Sequence, residues 1–71
     1  MDIEQMQELI WLRDASWALQ NGRHVDMAAY LRVAEANGFV KPSEEFCVVQ
    51  IGEAARKKIN ENAHEFVWGN R

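Results

Sequence analysis

The stretch "LIWLRDASWALQNG", residues 9–22, places apolar side chains too densely for one helical face to hold them. At about 100° per residue, Ile3, Met6, Ile10 and Trp17 share one band. Trp11, Leu12, Ala15, Ala18 and Leu19 share a second, offset by more than about 90°. Leu9 lies apart from both. A short chain has too few helices to cover two bands, so one closes the core and the other meets a second chain. The reading turns the Trp17 band inward and the Trp11 band outward.

The rest of the pattern is helical too. The first helix runs from about Asp2, its cap, to Gln20, with Glu4 and Glu8 near its positive end and Asn21-Gly22 as a stop. The second runs from about Val25 or Asp26, the latter its cap, to Ala36. It ends in "NGF", where Gly38 takes the left-handed position and Phe39 folds back. The third starts after "KPS", with Ser43 as cap and Glu44 and Glu45 in the first turn. It reaches towards Val67, with Asn60 and Asn62 as points of weakness. On it Val48, Ile51, Gly52, Ala55, Ile59, Ala63 and Phe66 form one stripe. Phe46, Val49 and Val67 fall outside the stripe and suggest apolar contact at the back. The expected fold is an all-α domain of three helices, two shorter and one long and C-terminal, completed by homodimerisation.

Size reinforces that expectation. The chain has 71 residues, room for one domain over 1–71, and chains this short bury little of their surface without help. Cys47 is the single cysteine, so no internal disulfide can form, and in an apolar run it reads as a small buried hydrophobe. The acidic start "MDIEQMQEL" and the lack of a membrane-length apolar run point to the cytoplasm. A net charge of −3 argues against a dominant phosphate-binding surface.

Candidate chemistry is sparse. Glu61 and His64 have the Glu-x-x-His spacing of helical di-metal proteins, but they point away from the stripe, whereas such ligands face a bundle core. No metal and no cofactor is expected. Arg56, Lys57 and Lys58 form the one basic cluster, with Glu53 four residues before Lys57 as an ordinary ion pair. His24 reads as solvated. No serine, histidine and acid are spaced as a nucleophilic set, and no glycine-rich loop is present, so no enzyme is expected.

Two stretches carry family resemblances. "GRHVDMAAYLRVAEA" resembles the turn and second helix of a tetratricopeptide unit through Gly22, Leu31 and Ala34, with Trp11 in place of the first-helix aromatic. Met27 departs from the pattern, and one unit fits where such units stack in arrays. "VDMAAYLRV" resembles the first helix of excisionase-like helix-turn-helix regulators. The following "AEANGFVKPSEE" is acidic and holds a helix stop where a basic recognition helix belongs. Neither resemblance spans half the chain, and no family is assigned.

The expected function is that of a small cytoplasmic regulator, adaptor or inhibitor, of the kind bacterial and phage accessory genes encode. It would bind a protein partner through Trp11, Leu12, Ala15, Leu19, Phe46 and Val49. The alternative is a nucleic-acid-associated transcriptional regulator using Arg56, Lys57 and Lys58, with Arg23 and Arg32. No membrane partner is expected.

Overall fold

A computed structural model describes residues 1–67, and the side chains of residues 1–63. It contains three helices in chain order: α1 (Ile3–Gln20), α2 (Met27–Ala36) and α3 (Val48–Val67). The described residues contain no strand, and the domain is all-α. Its dimensions are 41 × 25 × 17 Å, so the smallest is about two packed helix layers. As expected, two helices are shorter than the C-terminal one, though unequally. With 18 residues α1 nearly matches α3 with 20, and α2, with 10, is the short one.

Local chemistry sets most of the helix ends. Asp2 caps α1 in an extended conformation, and its carboxylate accepts from the Gln5 N–H at 2.8 Å. Asp26 does the same for α2, accepting from the Ala29 N–H at 3.2 Å. Both helices stop in a left-handed glycine. Gly22 has φ +73° and Gly38 has φ +76°. At each, the next residue donates back to a carbonyl in the last turn: Arg23 to Ala18 and Phe39 to Ala34, both at 2.9 Å.

The start of α3 differs from expectation. Ser43 has φ +66°, a left-handed conformation that no N-cap adopts, within a turn closed by the Glu44 N–H on the Lys41 carbonyl. The helix begins five residues later, at Val48, with the Ile51 N–H bonded to the Cys47 carbonyl. Phe39 and Val40 pack against the core, so the chain needs the following residues to carry it from that anchor to α3. Cys47, just before the helix, is exposed rather than buried. Asn60 and Asn62 do not interrupt α3. The Asn62 amide donates to the Lys58 carbonyl at 2.9 Å, and two mediocre helix formers cost too little to break a packed helix.

The core joins all three helices. Leu9, Leu12 and Ala15 of α1 meet Tyr30 and Ala34 of α2 and Ile51 and Ala55 of α3. Helix α1 is the hub, with α3 lying along it and α2 packed more sparingly. The expected stripe of α3 does face α1: Ile51 and Ala55 are buried, and Val48 and Ile59 pack on their edge. Phe66 and Val67 lie outside the described side chains. At Gly52 the helices approach so closely that a Cβ would stand 2.8 Å from the Ser16 Cβ. Ser16 is itself buried, and its hydroxyl hydrogen-bonds the Tyr30 hydroxyl at 2.6 Å. This one chain of contacts, Gly52 to Ser16 to Tyr30, links α3, α1 and α2.

Candidate protein-docking surface

The inward direction of α1 is the reverse of the sequence expectation. The core stripe is Leu9, Leu12, Ser16 and Leu19, at the i, i+3, i+7, i+10 spacing of one helical face. Leu12 and Ala15, expected at a partner surface, are buried within the chain itself. Leu19 is half-buried against the core. Trp17, expected inside, is 57% exposed.

Of the band expected inside, only Met6 is buried. Its other members line up along the outside of α1: Ile3 is 63% exposed, Ile10 36% and Trp17 57%. Seven residues separate each from the next, and a seven-residue step drifts only about 20° around a helix. The row therefore runs nearly parallel to the axis for about 21 Å. Val49 of α3 extends it sideways. Trp17 and Val49 share a shallow groove between α1 and α3 with Gly52, Ser16, Gln20, Arg13, Glu53 and Arg56. Arg13 is paired with its neighbour Asp14 at 3.0 Å. The Arg23 guanidinium lies 5.4 Å from the Trp17 ring centre, in cation–π contact. Trp17 thus sits in a net basic setting, with one ring face already engaged.

Trp11 faces a different way. Its ring is 38% exposed and tilted at 51° against Tyr30, with centres 6.2 Å apart. It borders a depression with Glu4, Gln7, Glu8 and Val33. Glu8 there accepts from the Asn37 amide at 3.0 Å, which ties the end of α2 to α1. Trp11 meets α2 through Tyr30 with part of its ring and leaves the rest open beside Glu4, Gln7 and Glu8. Phe46 is exposed but lies in a third region, a depression with Phe39, Val40 and Gln50. The six expected site residues therefore do not form one surface. Trp11, Phe46 and Val49 are exposed at three places, and only Val49 adjoins the α1 row.

The described residues hold no group of three or more histidine, cysteine, aspartate or glutamate side chains able to hold a metal ion. Glu61 is exposed, and the side chain of His64 lies outside the described set. Arg56 and Lys57 are exposed on α3 and Lys58 is half-buried. No helix of the described residues is long and apolar enough to cross a membrane. Among the described residues, the one titratable group clearly displaced from its ordinary range is Tyr30. Burial raises its pKa, and the Ser16 hydrogen bond opposes that rise. Tyr30 lies at full depth in the core, so the shift belongs to packing and not to a reactive site. Compared with protein-family models, curated proteins and solved structures, the chain matches none of them.

Proposed function

We propose that this chain is a small non-enzymatic protein-binding module, a cytoplasmic regulator, adaptor or inhibitor, that docks through the outer row of α1. One observation carries the reading: Ile3, Ile10 and Trp17 stand in line on a helix whose opposite face already fills the core. The three stand about 10 Å apart with Gln7, Arg13 and Asp14 between them, and exposed apolar residues gathered on one face and set among polar ones fit a docking surface. Tryptophan is enriched at such sites and is a frequent energetic anchor. The expected docking role is kept, but its residues change: Val49 stays, Ile3, Ile10 and Trp17 join it, and Leu12, Ala15 and Leu19 leave it for the core, with Trp11 and Phe46 on other parts of the surface.

The competing reading is nucleic-acid binding through Arg56, Lys57 and Lys58. The basic surroundings of Trp17 give it a foothold, and the net charge of −3 opposes it. Salt separates the two. Phosphate contacts release counterions, so binding through several of them falls steeply between about 50 and 200 mM salt, whereas an apolar interface hardly responds. The test is affinity capture from the cells that make the protein, at both salt concentrations, with Ile10→Glu as control. The reading predicts a protein retained at high salt and lost with Ile10→Glu. Nucleic acid retained only at low salt, indifferent to Ile10→Glu, contradicts it.

A further inference from the structure

We propose that the depression around Trp11 seats an arginine side chain from a basic segment of a partner protein, a contact separate from the apolar row on α1. Three features of this patch support that occupant.

The first is the ring. Trp11 is 38% exposed, and Tyr30 meets it at a tilt with centres 6.2 Å apart. The rest of the ring borders a depression of about 320 Å³ with Glu4, Gln7, Glu8 and Val33. An indole face attracts a cation held within about 6 Å of its centre. Trp17 already has one, the Arg23 guanidinium at 5.4 Å. Trp11 does not: among the described residues, no lysine or arginine lines its depression.

The second is charge. Glu4, Glu8 and Trp11 reach one side of α1 because steps of three, four and seven residues return to the same face. Among the described residues the Glu4 carboxylate has no hydrogen bond and no ion pair. Glu8 gives one oxygen to the Asn37 amide and keeps the other. Like charges one turn apart repel each other, and neither glutamate has a lysine or arginine three or four residues away to offset it. A cation between them and the ring relieves that repulsion. The net charge of −3 favours approach of a basic partner as well.

The third is shape. A guanidinium is flat, stacks on an indole and presents its donors as a fork that matches carboxylates, which an ammonium does not. An open depression takes one side chain of a larger partner, whereas sites for free small molecules enclose most of the ligand.

The test is a nuclear magnetic resonance titration of the full chain at 50 mM salt. The probe is a blocked glycine–serine peptide carrying three arginines. The same peptide with neutral citrulline in their place, its lysine counterpart, and spermidine serve as comparisons. The indole N–H signal of Trp11, identified by its absence in Trp11→Phe, should move saturably with the arginine peptide while that of Trp17 stays. Glu4→Gln should weaken binding about threefold. Glu4 is exposed and makes no contact that the fold needs, and unchanged melting by circular dichroism checks this. Ile10→Ser should bind the peptide as wild type does, so the outcome is independent of the row. A still Trp11 signal, equal binding of the citrulline peptide, or equal binding by Glu4→Gln overturns the proposal. Lysine peptide or spermidine bound as tightly as the arginine peptide overturns the choice of arginine.

Discussion

At the scale of single residues, Ser16 explains most about how this core is built and why it was hard to read. A serine in the middle of the inward face of α1 breaks the apolar stripe Leu9–Leu12–Leu19 when hydrophobicity alone is followed. It belongs there because the Tyr30 hydroxyl satisfies it and because Gly52, with no Cβ, lets α3 close over it. Sequence periodicity therefore separates two apolar bands on α1 but cannot tell which is inside, since the deciding hydrogen bond comes from another helix. Tyr30→Phe should leave the Ser16 hydroxyl buried without a partner and destabilise the fold by about 1–3 kcal/mol. Adding Ser16→Ala should recover part of that loss, which chemical denaturation of both single variants and the double variant would measure. A full loss in each single variant that simply adds in the double would deny the coupling. The same pair sets an alkaline limit. The folded pKa of Tyr30 lies above its unfolded value of 10.0, so its contribution is intact below pH 10 and is lost as the pH rises past 10 towards the folded value. Tyr30→Phe should lack this part of the alkaline destabilisation. Melting curves for wild type and variant with equal slopes against pH above 10 would count against it.

At the scale of helices, what was legible was what is decided locally. Asp2 and Asp26 as caps and Gly22 and Gly38 as left-handed stops were readable because each acts within a few residues. The inward stripe of α3 was readable because its apolar and charged residues separate cleanly. The start of α3 was not, because the left-handed Ser43 answers to where Phe39 and Val40 must dock and not to its own capping tendency. The close crossing of α1 and α3 makes a sharp prediction. In Gly52→Ala, the new methyl would meet the Ser16 Cβ at 2.8 Å, and Ser16 is held by its hydrogen bond and cannot swing aside. The helices must separate, at a cost of about 1–3 kcal/mol. That is the opposite of the gain Ala brings in an open helix. Thermal melting decides it: a variant that melts at or above the parent temperature would mean that the helices do not cross there as tightly as described.

At the scale of the molecule, the arrangement is a thin domain whose central helix buries one face and sets Ile3, Ile10 and Trp17 among polar residues on the other. Leu12→Ala and Trp17→Ala separate those faces. Leu12 is fully buried, and its truncation should cost about 2–5 kcal/mol. That is a large share of what a domain this small has in total. Trp17→Ala should leave the helical signal nearly intact, costing mainly the Arg23 contact, and weaken capture of a protein partner instead. Circular dichroism melts of the two variants test the folding half of that asymmetry, and equal destabilisation would return Trp17 to the core. The most direct measurement is affinity capture at about 200 mM salt with wild type and Ile10→Glu at matched helicity. The docking reading predicts a protein retained by wild type and held at least about tenfold more weakly by Ile10→Glu, equivalent to about 1.4 kcal/mol or more. Equal capture by the two would contradict the claim that the outer row of α1 is an interface.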